Sequence, residues 1–420
     1  MVHAAPELPP HGGYIRAVRE SSRTVREWAN ITVSGDAIAR LLHSPAFTTT
    51  FDRLRKAHGM AFPLAFPSVL SEVNLLSILA LLNFASGYRT PLHAATGRGA
   101  FDNVRALVFA LYISSAAGTG EGDYLSARGM RAIRAATVAD LMGVAGKIHV
   151  EREHESLRGV TVGQLGGPVW EVVELVTRTL NETGGVLVDA GYPDLGSLVM
   201  QALKEGEKAR RDGPGAECDV ILERLVRVVP AFRDMALVDG QPVYCFKKAL
   251  LTIHAIALRF GSADPAPFSV PRTENLPIFA DNVIPSMLVH LGVIDLSTST
   301  PALGLASLFP DAGKSETLEA LLEAAPEAVG DTKGPKPKEV PKEGPVLSVE
   351  QAYILRAAAI DACELIVQAA RELGASAGEH ASLYTTVTVP ELDAWIWAVA
   401  KDRADYRKLE RFVLKNTPFF

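Results

Sequence analysis

Residues 349–373, VEQAYILRAAAIDACELIVQAAREL, read as one strong helix, and the same patterning recurs along almost the whole chain. Upstream, Ile38, Leu41 and Leu42 follow Ser34, a candidate N-cap, and Thr137-Val138-Ala139-Asp140 resembles a capping box ahead of Leu141 and Met142. Trp170, Val173, Leu175, Val176 and Leu180 fit one helix, and Ile221, Leu222, Leu225, Val228 and Val229 fit another that stops before Pro230. Strand signals are few; the best are 185–188 and 384–389, and Val238-Asp239-Gly240-Gln241 reads as a hairpin turn. A doubly wound sheet needs strands alternating with helices, and that rhythm is missing. The predicted class is mainly α with a few short strands.

Just before 349–373 the composition breaks. Residues 326–345 include GPKPKEVPKEGP, which cannot form a packed element and reads as a flexible insertion. The N-terminal MVHAAPELPPHGG lacks the basic start and apolar run of a secretory signal, and 1–13 are expected to be disordered. The three cysteines, Cys218, Cys245 and Cys363, are odd in number and far apart, which suits a reduced, intracellular chain, cytoplasmic with nuclear placement also open. With 48% hydrophobic residues the 420-residue chain has enough apolar material for a real core. Its net charge of -6 gives no overall basic field, so direct nucleic-acid binding is not expected, while a small anionic ligand is compatible. The most apolar window, 68–84, carries Glu72, Asn74 and Asn83 and is shorter than the roughly 20 residues of a membrane helix, so it reads as a buried helix and no membrane is expected.

Nucleotide-loop and metal motifs fail on spacing. Gly313-Lys314-Ser315 ends like a phosphate loop, but Leu308 stands where its first glycine is required. Gly118, Gly120 and Gly122 lack the third glycine of a dinucleotide fingerprint. His149 and His154 flank Glu151 and Glu153 at a spacing of five, which does not stack two imidazoles on one helix face; a solvated charged face is expected, not a metal site.

The residues that point to chemistry are charges set among apolar neighbours. Phe279-Ala280-Asp281-Asn282-Val283-Ile284-Pro285 places one carboxylate in an apolar run; Asp281 reads either as an N-cap for the helix carrying Met287, Leu288 and Leu291 or as a catalytic group, and the two are compatible. Phe232-Arg233-Asp234 and Tyr244-Cys245-Phe246-Lys247-Lys248-Ala249 add charges beside aromatic rings, the composition of a small polar site in a hydrophobic scaffold. The plainer readings are an Arg233–Asp234 bridge and a solvated helix face for Lys247 and Lys248. Arg356 lies in an apolar helix segment with Glu364 two turns on, so it reads as one half of an Arg–Glu bridge or as an anchor for an anion. Asn83-Phe84 offers an amide and an aromatic face to a flat heterocycle, with core packing the alternative for Phe84. Trp395 and Trp397 read as core.

The order of these motifs resembles the queuosine salvage family, the queuosine 5'-phosphate N-glycosylase/hydrolases. Phe232-Arg233-Asp234, Gly240 before Phe246 to Ala249, Phe279-Ala280-Asp281 with Pro285, and Leu291-Gly292-Val293 follow that family's signature order. Val18-Arg19-Glu20-Ser21-Ser22, Leu82-Asn83-Phe84, and Arg356 with Glu364 resemble further pieces of it. The resemblance implies one helical domain over 14–420, similar to DNA glycosylase scaffolds and interrupted at 326–345. It implies hydrolysis of the N-glycosidic bond of queuosine 5'-monophosphate, releasing queuine for tRNA modification. Asp281 matches the family's catalytic aspartate and Lys247 its active-site lysine. Asp234, Asn83 and Phe84 would lie around the base, with Phe279 beside them, and Lys248, Arg233 or Arg356 would neutralise the 5'-phosphate. Such a reaction needs no metal or organic cofactor; its partner is a small-molecule nucleotide. The chain departs from the family where Asp-Tyr-Arg-x-Pro-Gln becomes Asp281-Asn282-Val283-Ile284-Pro285-Ser286, where Ala85-Ser86 replaces Phe-Trp after Asn83-Phe84, and where Tyr406-Arg407-Lys408 replaces a His-Arg-Thr-Arg pattern. The alternative expectations are a divergent, non-catalytic helical binding protein or a nucleosidase for another nucleoside.

Overall fold

The computed structural model describes residues 5–55, 64–116, 122–213, 215–324, 342–376, 378 and 380–420. The helix expected at 349–373 spans Val349–Ala375 and starts at a capping box in which Ser348 Oγ accepts from Gln351 N and the Gln351 side chain accepts from Ser348 N. A cap of this kind stabilises a helix start by about 1 kcal/mol. From Ala352 to Cys363 every residue is buried, so this segment is enclosed on all sides and lies at the centre of the fold. It packs against the helices Tyr14–Trp28, Val283–His290 and Val389–Asp402.

A second group forms around Val69–Leu81, which begins at the Ser68 cap and buries every residue from Glu72 to Leu81. It packs on Leu195–Ala209 and Lys247–Phe260, and Leu195–Ala209 packs in turn on Ala216–Val228. Close approach is fixed at Gly196, where a Cβ would stand 2.8 Å from Asn74 Cα, and where Asn74 Oδ1 accepts from the Gly196 N–H at 2.9 Å. Among the described residues no single helix is long and apolar enough to cross a membrane.

Strands occur only as short antiparallel pairs: Thr32–Val33 with Ile294–Asp295, His149–His154 with Leu157–Leu165, and Met235–Val238 with Gln241–Tyr244. The fold is mainly α, as predicted. The last pair is the expected hairpin, its turn closed by Asp239 and Gly240 at φ 48° and 75°, the left-handed geometry a two-residue hairpin loop favours.

Several local expectations differ from the structure. Residues 185–188 lie in the Pro168–Asp189 helix, because Leu180, Thr183, Gly184 and Leu187 are buried at helical spacing and tertiary packing overrides the local strand propensity. Residues 384–389 cover the end of Ala381–Thr386 and the start of Val389–Asp402, with Thr388 in a capping box with Glu391. The helix near 137–140 begins earlier, at Ala135, and has no side-chain cap. His149 and His154 lie on an exposed strand pair, not on a helix. Of the N-terminal stretch expected to be disordered, 5–13 pack on the fold: the Tyr244 hydroxyl donates to Glu7 O at 2.7 Å and His11 Nδ1 pairs with Glu223 Oε2 at 2.7 Å. The partners, Tyr244 and Glu223, lie 237 and 212 residues further along the chain, so this packing could not be foreseen from the segment's own composition. Of the proposed insertion, 326–341 lie outside the described residues; beyond them, Val413 N donates to Pro345 O at 2.8 Å, and Lys342 pairs with Glu410.

Candidate functional site

The hairpin brings the two ends of its strands together, and this sets the first half of the site. Asp234 precedes the first strand, Cys245 and Phe246 follow the second, and the Asp234 carbonyl accepts from both of their N–H groups at 3.0 and 3.1 Å. Phe246 then takes φ 45°, a left-handed conformation unfavourable for a residue with a side chain, and the Lys247–Phe260 helix starts immediately after it. Its buried ring is held against Tyr14 and Tyr244, with centroids 5.8 and 5.6 Å away. The strained turn aims the Lys247 N–H at Asp234 Oδ2, 3.2 Å away.

Asp234 and Arg356 form a two-pronged ion pair at 2.9 and 2.5 Å, and both side chains are fully buried. The Tyr353 hydroxyl donates to Asp234 Oδ1 at 2.8 Å, and Arg356 Nε donates to Ala280 O at 2.9 Å. The guanidinium also lies over the rings of Tyr353 and Phe420, at 4.9 and 4.3 Å. Burial alone would lower the Arg356 pKa, but the Asp234 charge holds it above the ordinary value. Arg356 therefore clamps the hairpin to the 279–281 segment. Its expected bridge to Glu364 does not form; Glu364 pairs with Arg19 at 2.7 Å. Arg233 does not pair with Asp234 either, and instead donates to the carbonyls of Val226 and Arg227 at the end of a helix.

That clamp fixes the residue before Asp281. Asp281 Oδ1 accepts from Val283 N at 2.6 Å, so the carboxylate caps the first turn of Val283–His290 while Asn282, at the N-cap position, makes no side-chain cap. Asp281 is 7% exposed. The backbone N–H of buried Phe279 donates to Asp393 Oδ2 at 2.7 Å, and the Phe279 ring packs on His254 at 5.2 Å. Burial pushes the Asp393 carboxyl up to about 8; the Phe279 hydrogen bond opposes the shift, the nearby Asp281 charge adds to it, and Lys247 opposes it. Two carboxyl groups in unlike settings thus lie within electrostatic reach of each other.

Neither lysine lies on the solvated face considered above. Lys247 is 4% exposed, and its Nζ donates to Asn83 O and Asn83 Oδ1 at 2.7 and 2.9 Å. Burial lowers its pKa to about 8 against the raising influence of Asp281. Lys248 is fully buried, with Nζ donating to Pro418 O at 2.6 Å and lying 5.0 Å from the Phe84 ring; burial, helped by Lys247, lowers its pKa well below the ordinary value. Lys247, Asn83, Asp281 and Phe279 therefore gather in one region. Asp234 lies behind them, its oxygens directed at Arg356, Tyr353 and the Lys247 backbone, while Phe84 packs on Lys248 and Arg233 faces elsewhere. Among the described residues no group of three or more His, Cys, Asp or Glu side chains could hold a metal ion.

The chain's final residues complete the region. Asn282, Ser286 and His290, four residues apart along one helix face, hold Phe412 O at 2.8 Å, Phe412 N at 3.2 Å and Glu410 O at 3.0 Å. Gly87 lies against the same segment so closely that a Cβ would come within 2.2 Å of Leu414 O. Sequence reasoning missed this strap, together with Asp393, Arg89, Lys401 and Arg411. Asp393 alone carried a signal: it is a carboxylate in the apolar run Leu392 to Trp397, the argument that singled out Asp281.

Residues 171–304 match the family model described as queuosine salvage protein. The match contains Asp234, Lys247, Phe279 and Asp281, whereas Asn83, Arg356 and Asp393 fall outside it. No curated protein matches the chain.

Proposed function

We propose, from the queuosine salvage domain carried by residues 171–304, that the protein hydrolyses the N-glycosidic bond of queuosine 5'-monophosphate, releasing queuine. Water adds to the anomeric carbon, the bond to the base breaks with its electron pair going to the base, and the base takes a proton; ribose 5-phosphate is the second product. Positive charge builds on the ribose as the bond breaks. A carboxylate fixed beside it stabilises that charge directly, by covalent capture, or by activating the water. Asp281 takes this role. The observation that carries the reading is its setting: a carboxylate held by the Val283 N–H, with the Lys247 ammonium and the Asp393 carboxyl within electrostatic reach. Burial that holds the Asp393 carboxyl protonated up to about pH 8 supplies a candidate acid within electrostatic reach of Asp281. Lys247 orients Asn83, whose Nδ2 is left as a donor toward the base. Asp234 supports Lys247 and Arg356 from behind and does not itself meet substrate in this reading.

Burial favours one second reading. With Asp281 7% and Lys247 4% exposed, and Asn282-Val283 in place of the family's Tyr-Arg, the same fold suits a non-catalytic binding protein. Incubating the purified protein with queuosine 5'-monophosphate separates the two. Hydrolysis releases queuine, and Asp281→Ala loses most of that rate while remaining folded. Absence of release by wild type, or equal release by wild type and variant, rejects the assigned role.

A further inference from the structure

Asp393 lies within the buried run Leu392 to Ile396 and is itself 5% exposed. Its hydrogen bond is the one from Phe279 N to Oδ2, at 2.7 Å, and among the described residues no cation pairs with it. A carboxylate enclosed in this way calls for several donors or an adjoining positive charge, whereas a neutral carboxyl group calls for neither. Its second oxygen, Oδ1, takes no hydrogen bond and, unlike the sealed Ser86 Oγ and Arg411 Nε, still reaches solvent. The geometry is that of a carboxylic acid with its O–H group free.

The charged and titratable groups facing Asp393 come from three elements. Asp281 disfavours its ionisation, Lys247 at the start of the Lys247–Phe260 helix favours it, and the buried Cys363 thiol of the Val349–Ala375 helix lies within reach of its charge. Burial outweighs Lys247, and the carboxyl group moves from 3.8 to about 8. Asp281 stands in the opposite setting. Lys247, Lys401 and Arg411 all lie within its electrostatic reach, and its charge offsets part of the repulsion that Arg89 exerts on Arg411. Asp281 Oδ1 takes the Val283 N–H, while Oδ2 takes no hydrogen bond and reaches solvent. The two carboxyl groups are also tied together by backbone: Asp393 holds Phe279 N, Arg356 holds Ala280 O, and Val283 N holds Asp281, so three consecutive residues are fixed.

We propose that Asp393 is the acid of the reaction, donating its carboxyl proton to the base as it departs while Asp281 takes a proton from the attacking water. The proposal rests on the hydrolase reading above. The bond from the anomeric carbon to the base nitrogen breaks with its electron pair going to the base, and the Asp393 O–H proton joins the base. The water oxygen bonds to the anomeric carbon, and one water proton passes to Asp281. The pair begins with one negative charge, on Asp281, and ends with one, on Asp393; proton exchange with solvent restores the starting state. At no stage are both ionised, the state that burial and their mutual repulsion disfavour.

The test compares two leaving groups on one sugar phosphate. The full chain, as wild type and as Asp393→Asn, is given queuosine 5'-monophosphate, whose base needs a proton to leave, and para-nitrophenyl riboside 5-phosphate, whose nitrophenolate leaves as an anion. Asparagine keeps an oxygen for the Phe279 N–H. Asp393→Asn loses about 100-fold or more in kcat on the nucleotide and cleaves the nitrophenyl substrate as fast as wild type does. For wild type, kcat/KM on the nucleotide falls as pH rises through about 8, and this limb is missing both from Asp393→Asn and from the nitrophenyl profile. A role confined to holding Phe279 slows both substrates together, and that result overturns the proposal. So does a loss on the nucleotide smaller than about 10-fold, or a wild-type profile without the alkaline limb. Circular dichroism shows whether Asp393→Asn is folded, and the wild-type profile decides should it unfold. Release of queuine by wild type and variant alike upholds hydrolysis and rejects Asp393 as the acid; release by neither rejects the hydrolase reading and the proposal with it.

Discussion

Breaking the Asp234–Arg356 pair tests how the site is held. In Asp234→Ala the guanidinium keeps only Ala280 O and two aromatic faces, and in Arg356→Met the carboxylate keeps only the Tyr353 hydroxyl and the Lys247 N–H. Either variant strands a charge in a fully buried setting, which costs about 3–5 kcal/mol. At roughly 2 cal/mol/K of unfolding entropy per residue, a chain of this length loses about 1 °C of Tm per kcal/mol, so each single variant melts roughly 3–6 °C lower. The double variant replaces both charges with apolar groups and leaves neither stranded, so its loss is far smaller than the sum of the two. Differential scanning calorimetry of the four proteins gives the coupling directly, at about 2–4 kcal/mol. Losses that add to within about 0.5 kcal/mol would refute the reasoning, since two charges that depend on each other cannot be removed independently. Arg356→Met should also slow any queuine release, because the Ala280 carbonyl preceding Asp281 loses the guanidinium that clamps it.

Three further outcomes follow from the geometry. Asp393 is raised from 3.8 to about 8, so the folded state holds its proton; that contribution is fully present below the unfolded pKa and is lost as pH rises toward 8. Melting across pH 4 to 8 should therefore fall more steeply for wild type than for Asp393→Asn, with a slope difference of up to about 1.4 kcal/mol per pH unit, and parallel curves would reject a protonated Asp393. Lys247 is lowered from 10.5 to about 8 and has the opposite sign: its burial penalty is lifted as pH rises from 8 to 10.5, a gain that Lys247→Met should lack in the same melting series. Gly87→Ala drives a Cβ into the Leu414 carbonyl, so the variant should lose about 1–3 kcal/mol and release its C-terminal residues to carboxypeptidase faster than wild type.

The chain's own order of residues determined its class of fold. Helical spacing of apolar residues and the Asp239-Gly240 turn are properties of a short stretch of chain, and the Val349–Ala375 helix and the hairpin formed where those local rules put them. Aspartate in an apolar run was also legible as a residue needing a partner, and Asp281 has one in the Val283 N–H. What the sequence could not determine was which partner each charge takes. Arg356 passes over Glu364, two turns along its own helix, for Asp234, 122 residues away, because a fully buried guanidinium needs a carboxylate enclosed on the same side of the helix, and folding decides which one is there. The same holds for Asp393 beneath Phe279 and for Arg89 facing Arg411. Desolvation acts on neighbours in space, and only the tertiary structure chooses those neighbours.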